Sequence, residues 1–377
     1  MEHQLQIEAS QRSLIRGAWP TDPPEFGLPN DIPVATFMEW DGSLNIGGSL
    51  VDCLQISEVT VRTSHRRKGL LRSLMTTSLT EASERGVPIA ALTVSEASIY
   101  GRFGFGPAVF EDSVVLRTGW DFSLEVPPTG TVEYLNPERL TEATHEVYER
   151  FHSMQTGSIG RTAPSHEAYN GSLDKDRKPS KRIRAAGHWN DDGILDGYVT
   201  WQPSKKEGEI DIVDFVPTTE AASLALWAFV ASLDLIRRVH LRRGRVDEHL
   251  PWTLTDSRRY SVKDRGDLLW LRVLDPVVCL TARNYYSDGE VSLRVVDDMG
   301  FADGTWRLSV KDGSATMTSV EKADVEIDAR ALGSALLGGV NVQALATAGQ
   351  VRGDATAIDE LGILLARRRA PWCITPF

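Results

Sequence analysis

Cysteine is scarce in this chain. Only Cys53, Cys279 and Cys373 occur in 377 residues, with no C-x-x-C pair, which argues against a disulfide framework and fits reduced thiols in a cytoplasm. Long apolar runs are also missing. The longest, Ala221 to Ile236, is broken by Ser223, Ser232 and Asp234. It is shorter than the ~20 residues a membrane span needs and reads as a core helix of a cytosolic protein. Met1 to Pro20 carries Glu2, Glu8, Arg12 and Arg16 and has no apolar core of a secretory signal. Basic excess is absent: 41 Lys and Arg stand against 52 Asp and Glu, a formal charge of −11. Such a balance repels nucleic acid and favours cationic partners. No G-x-x-x-x-G-K-[ST] phosphate loop and no G-x-S-x-G nucleophile elbow is present. His145-Glu146 is followed by Glu149 and not by the second histidine of H-E-x-x-H, so no metal site is expected.

What remains is an ordinary globular composition, 41% apolar and 25% charged. One core rarely organises more than about 250–300 residues, so two or three domains are expected. Residues 34–40 and 50–61 read as strands around the turn-rich stretch Asp41 to Gly48. A helix then places Leu70, Leu71, Leu74, Met75, Ser78 and Leu79 on one face and ends near Gly86-Val87-Pro88. Ile89 to Val94 reads as a buried strand, Ile99 and Tyr100 fall on a short helix, and Ser113 to Arg117 is a strand closing this first α/β unit.

A linker near Pro127-Pro128 leads to a second unit. Its expected elements are a helix at Pro137 to His152, strands near Gly197 to Trp201 and Glu209 to Val216, a long helix from Thr218 to Ile236, and a strand near Leu268 to Val273. After Asp275-Pro276 come short strands separated by Asp-Gly turns (Asp288-Gly289, Asp303-Gly304, Asp312-Gly313) and three helices, an α+β pattern.

The stretch that carries chemistry runs from Glu58 to Arg72. A strand ends at Val61, a turn holds His65, Arg66, Arg67 and Lys68, and Gly69 opens a helix. Helix N-terminal N–H groups lack intrahelical partners and carry partial positive charge, so they accept anions. The basic side chains strengthen that site, and Gly69 lets a phosphate approach the backbone. A diphosphate-bearing ligand is expected here. Gly101, Gly104 and Gly106 follow a helix start in G-x-x-G-x-G order, which is not the Rossmann fingerprint.

Val59 to Arg72 resembles the pyrophosphate-binding R-x-x-G-x-G/A segment of GNAT acetyltransferases, with Leu71 in place of the last Gly or Ala. Ser95-Glu96-Ala97-Ser98-Ile99-Tyr100-Gly101-Arg102-Phe103-Gly104-Phe105 resembles a second GNAT signature, a tyrosine-bearing helix leading into G-F. Both stretches are most similar to the Eis family, which shares the leucine at 71, and the likeness covers nearly the whole chain. The resemblance implies tandem GNAT folds, the second degenerate, followed by a sterol-carrier-like α+β domain, with divisions at residues 1–122, 123–273 and 274–377. It implies acetyl-CoA as co-substrate and no metal. The backbone of Val59 and Val61 would pair with the pantetheine arm, and Thr60 between them would also belong to the cofactor site. Arg67, Lys68, Gly69, Leu70, Leu71 and Arg72 would hold the pyrophosphate, and Ser95 and Glu96 would line the opposite side.

The same resemblance implies Tyr100 as general acid and the α-carboxylate of Phe377 as general base. It implies an amine acceptor, either a small molecule (aminoglycoside-like or a polyamine) or a lysine peptide, and a homo-hexamer. Pro376 stands where an acidic side chain would help bind a polycation, which argues against aminoglycosides. The competing non-enzyme reading is a lipid or sterol carrier built on residues 274–377.

Overall fold

The structure is a computed structural model describing residues 3–9, 13–173 and 178–377. The chain forms two compact units. One draws on Met1–Val109, Leu268–Arg368 and Pro376–Phe377, the other on Phe110–Asp267 and Arg369–Thr375. In chain order the first strands are β1 (His3–Ala9), β2 (Leu14–Pro20), β3 (Ala35–Asn45), β4 (Leu50–Val61), β5 (Ile89–Thr93) and β6 (Gly106–Arg117). Then come β7 (Thr131–Tyr134), β8 (Arg184–Trp189), β9 (Leu195–Pro203), β10 (Glu209–Pro217), β11 (Arg238–Gly244) and β12 (Tyr260–Val273). The last five are β13 (Gly289–Val296), β14 (Gly304–Lys311), β15 (Ser314–Ser319), β16 (Val325–Asp328) and β17 (Val351–Gly353). The principal helices of the two units are α1 (Leu70–Glu84), α2 (Ala97–Tyr100), α3 (Leu140–Met154), α4 (Ala163–Asn170) and α5 (Glu220–Ala231).

The first unit holds a sheet in which β1 to β5 are neighbours in sequence order, and Leu269–Val273 of β12 lies antiparallel to β5. β4 and β5 are parallel, as a strand–helix–strand crossover through α1 requires. Leu70, Leu74, Met75, Leu79 and Ala82 of α1 are buried against Phe37, Leu54, Ile56 and Leu92 of the sheet. Each of the leucine and methionine side chains contributes roughly 1.5–3 kcal/mol by leaving water, and the Ala82 methyl less. The same unit carries a second sheet, ordered β15-β14-β13-β16-β17. Its core is Leu293, Val295, Leu308, Ile327 and, from the helix Ala355–Leu365, Leu361 and Leu364. Asp312 and Gly313 both have positive φ, 51° and 79°. That is the twist of a two-residue type I′ hairpin, as the Asp-Gly dipeptide predicts.

The second unit repeats the first arrangement. Its order is β7-β8-β9-β10-β11, followed by Asp112–Arg117 of β6 antiparallel to β11, and β10 and β11 are its parallel pair. Val147, Tyr148 and Phe151 of α3 and Leu226, Trp227 and Val230 of α5 share one core with Val199, Ile212 and Phe215 of the sheet.

Several expectations change. Ser113–Arg117 does not close the first unit: it pairs with β11, and β12 pairs with β5. The unit boundary falls inside each of these long strands, and hydrophobic pattern marks a strand without naming its partner. β3 runs on through Asp41–Asn45, read as turn, because cross-strand pairing with Leu50–Leu54 outweighs the low strand propensity of Asp-Gly-Ser. The long helix stops at Ala231, where Ser232 and Asp234 interrupt the apolar face and Leu235 takes φ 65°. Among the described residues no helix is long and apolar enough to cross a membrane.

Candidate active site

The site begins where two parallel strands part. β4 and β5 pair from Cys53↔Ile89 to Ile56↔Leu92, and no further. Two residues beyond Ile56, β4 bulges: its register against β3 shifts between Ser57 and Thr60, and Glu58 takes φ 49°. A bulge bends its strand and re-aims the residues beyond it. The edge of β4 from Ser57 onward therefore leaves β5, and its backbone groups face a cavity of about 300 Å³. Glu58, Val59, Thr60, Thr93, Ser95, Tyr100 and Phe377 are among its lining residues.

Val59, Thr60, Ser95 and Tyr100 also line a larger cleft of about 820 Å³, together with Arg66, Arg67, Gly69, Leu70, Leu71, Arg72, Glu96 and Arg102. Gly69 is the N-cap of α1, at φ 78°, with no side-chain cap and no acidic residue in the first turn. The first bond into the helix runs from Ser73 N–H to the Gly69 carbonyl, so the N–H groups of Leu70, Leu71 and Arg72 have no partner in the helix. A Cβ added at Gly69 would meet nothing within 4 Å, so the left-handed backbone, not crowding, demands glycine. Arg66, Arg67, Lys68 and Arg72 are exposed, and none has an ion-pair partner among the described residues. An unpaired strand edge ending at a bare helix start with loose cations fits an extended arm that ends in a diphosphate, as in acetyl-CoA.

The structure brings the expected site residues together, with one difference of emphasis. Lys68 belongs to the same turn but does not line the cleft, whereas Arg66 and Arg102 do. Leu71 is half-buried and packs on the apolar core under the cleft, which gives a physical place to the larger residue at that position.

Tyr100 is 6% exposed and meets Phe105 edge-on, with ring centroids 6.4 Å apart. Its hydroxyl makes no hydrogen bond to a described residue. Burial, and then the charge of Glu96, push its pKa above the usual tyrosine value. Gly104, just after it, has φ 80°, and a Cβ there would lie 2.8 Å from Nε of Arg272. Arg272 is itself buried and held by Asp297 at 2.7 Å. The G-R-F-G-F stretch is thus a tight turn over a buried ion pair that fixes Tyr100.

Phe377 lies at the other side of the small cavity. Its main-chain oxygen accepts a hydrogen bond from the Thr93 hydroxyl, and its ring packs edge-on against Trp40, centroids 5.5 Å apart. Neither Thr93 nor Trp40 was expected; the only sequence signal was Thr93 as the one polar residue in the apolar stretch Ile89 to Val94.

A further donor set lies on the second unit. His145, Glu149 and His166 offer ligand atoms within 4.8 Å of one another, with His145 Nδ1 3.2 Å from His166 Nε2. By donor type it could hold a metal ion. Sequence spacing missed it because His166 comes from α4, not from the helix of His145 and Glu149. Burial, with the charges of Arg161 and His145, lowers His166 to about 4, and the same positive charge of Arg161 opposes a divalent cation.

Comparison with known proteins gives three family matches. Acetyltransferase (GNAT) domain models match residues 28–108 and 157–273, and a sterol carrier protein domain model matches residues 277–374. An uncharacterized N-acetyltransferase of Streptomyces avermitilis is 34% identical over 357 residues, covering 90% of this chain and 85% of the relative. N-acetyltransferase Eis of Mycobacterium tuberculosis is 30% identical over 337 residues, covering 86% of this chain and 80% of the relative. The crystal structure of Eis1 from Mycobacterium abscessus superposes with a TM-score of 0.79 at 27% identity, covering 97% of this chain and 90% of that one.

Proposed function

The chain belongs to the Eis family of GNAT N-acetyltransferases, and from that premise we propose that it acetylates an amine of a cationic acceptor, with Tyr100 as general acid and the Phe377 carboxylate as general base. The observation that carries this reading is the convergence of Tyr100 and Phe377 on one cavity, at the point where β4 and β5 part.

Acetyl-CoA supplies the thioester to be transferred. The unpaired backbone of Val59 and Val61 holds its pantetheine arm. The N–H groups of Leu70 to Arg72, with Arg67, Lys68 and Arg72, hold its diphosphate, and Ser95 and Glu96 wall the opposite side. Binding in this groove turns a bimolecular encounter into an oriented one. The acceptor arrives as an ammonium ion, and Glu58 and the terminal carboxylate are the anionic groups that line the small cavity. They attract it electrostatically. A terminal carboxylate has an ordinary pKa of about 3.5, so it is a weak base unless it is desolvated. The ammonium first gives one proton to the Phe377 carboxylate, which passes it to solvent and leaves a neutral amine. Then, as the N–C bond forms and the S–C bond breaks, the second amine proton goes to Phe377 and the Tyr100 proton goes to the departing sulfur. The electron pair of the broken bond stays on sulfur, and charge is balanced.

The divisions at 1–122, 123–273 and 274–377 belong to this proposal, and each family match falls inside one of them. A homo-hexameric, cytoplasmic enzyme is the accompanying expectation, tested by light scattering on the purified protein. The deciding experiment is an acetyl-CoA thiol-release screen against polyamines, aminoglycosides and lysine peptides. Acceptor-dependent release with at least one amine supports the reading. No release with any amine, together with lipid co-purifying on the protein, would favour the carrier reading of residues 274–377.

A further inference from the structure

The second unit has the same sheet as the first but no basic turn, which raises the question of what its cofactor gap now does. The two gaps are equivalent strand by strand. In the first unit the parallel pairing ends at Ile56↔Leu92, and the bulge lies two residues on, at Glu58. In the second it ends at Asp211↔His240, and the bulge lies two residues on, at Val213. Each parted strand leads into a helix, β4 into α1 and β10 into α5.

The second gap is shut to a diphosphate. Thr219 caps α5 by accepting a hydrogen bond from Ala222 N–H at 3.0 Å, and Glu220 puts a carboxylate in the first turn. A capped, acidic helix start repels the anion that a bare one attracts. In place of an anion it holds a cation from the chain's own terminus: Arg369 Nη1 lies 3.1 Å from Glu220 Oε1.

The rest of that terminal segment follows the gap. Trp372, 1% exposed, donates its indole N–H to the Arg243 carbonyl on β11 at 2.8 Å. Its backbone N–H bonds Thr156 O at 2.8 Å, and its ring packs edge-on against Phe151. Three residues on, the Thr375 hydroxyl accepts from Arg161 Nε at 2.8 Å and lies 2.9 Å from Tyr148 OH. Tyr148 OH donates to Ile159 O, so the Thr375 proton is free to point at Tyr148 and every group is satisfied. The Arg161 side chain is fully buried and forms a two-pronged pair with Asp214 of β10, at 2.6 and 2.9 Å. Tyr198 donates to the same carboxylate at 2.6 Å.

We propose that the second unit is a GNAT fold whose cofactor gap is filled by the chain's own residues 369–375, and that Arg161, fixed by Asp214, is the positioning residue that locks Thr375 and so sets where the Phe377 carboxylate lies. The catalytic half of this inference rests on the reading of Phe377 as base; the anchoring half does not.

The test uses the full-length chain. Thr375→Val removes the hydroxyl at nearly constant volume, and Thr375→Ser restores it. Deuterium uptake of the C-terminal peptide, read by mass spectrometry, is expected to rise in the valine variant and to return to the wild-type level in the serine variant. The kcat of acceptor-dependent thiol release should fall at least about tenfold in the valine variant, with the KM for acetyl-CoA within about twofold. Titration calorimetry should give one acetyl-CoA site per chain. Unchanged deuterium uptake, or a second acetyl-CoA site, overturns the filled gap. Raised uptake with unchanged kcat overturns the positioning role. If a chain lacking Phe377 keeps full turnover while Thr375→Val still loosens the tail, the base assignment has failed and the anchoring stands.

Discussion

Replacing Tyr100 by Phe removes one oxygen from the site and leaves the ring in place. The hydroxyl makes no hydrogen bond to a described residue, so its loss strands no buried partner. Stability should change by less than about 0.5 kcal/mol, the range of substitutions away from buried networks. Acetyl-CoA affinity should change by less than about twofold, since the diphosphate and the arm are held elsewhere. Turnover should fall about 100- to 10,000-fold, the usual contribution of a positioned acid, or roughly 3–5 kcal/mol of barrier.

The direction of the pKa shift sharpens this. An ordinary phenol lies about 1.5 units above a thiol, so full proton transfer to a thiolate is already uphill by about 2 kcal/mol. Burial and Glu96 raise Tyr100 further, which makes stepwise transfer worse. The proton must therefore move as the S–C bond breaks. A solvent deuterium isotope effect on kcat is expected in the wild type and should vanish in Y100F. A donor works only while protonated, so activity is lost as pH rises through its pKa. That limb lies above the ordinary tyrosine value of about 10 and moves down in Glu96→Gln, which removes one of the two causes. Single-turnover thiol release with and without acceptor provides the assay. Y100F retaining kcat within about threefold of wild type would refute the acid assignment.

Arg67→Ala should raise the KM for acetyl-CoA about 3- to 10-fold and leave kcat nearly unchanged, because a diphosphate contact is the same in the ground and transition states; steady-state kinetics checks the split. Gly69→Ala and Gly104→Ala both force alanine into a left-handed backbone, at roughly 1–2 kcal/mol each. At Gly104 the new Cβ also displaces Arg272 from its buried pair with Asp297, so that variant should melt distinctly lower than Gly69→Ala; equal melting temperatures would be the contrary result. His152 is held neutral by burial, and His166 by burial with Arg161 and His145, each lowered to about 4. The unfolded chain binds protons at both near pH 6.5 and the folded chain does not, so stability is present above pH 6.5 and is lost as pH falls toward 4. The loss is at most roughly 3 kcal/mol per histidine, and His166→Gln should flatten the denaturation profile over that window.

Much of the first site was legible because its signals are local. A strand, a basic turn, glycine and an apolar helix face lie consecutively in residues 58–79, and each feature acts on its neighbours. Tyr100 and its glycines likewise form one contiguous turn. What escaped the sequence depends on pairing between distant segments. Thr93 gains its meaning from a residue 284 positions away. Arg16, on a strand that no alternation of apolar residues marks, is buried with Glu39 and Glu81 as its partners. The exchange of β6 and β12 follows from where two long strands find partners, which periodicity does not encode. The filled gap of the second unit was visible only as a missing basic turn. Its occupant came from the opposite end of the chain.

The central claim is that the terminal carboxylate takes the amine proton, and truncation of Phe377 addresses it most directly. The shortened chain should bind acetyl-CoA with wild-type affinity in calorimetry and lose acceptor-dependent thiol release by at least about 100-fold. Full turnover in the truncated chain, with a carboxylate no longer at that position, would contradict it.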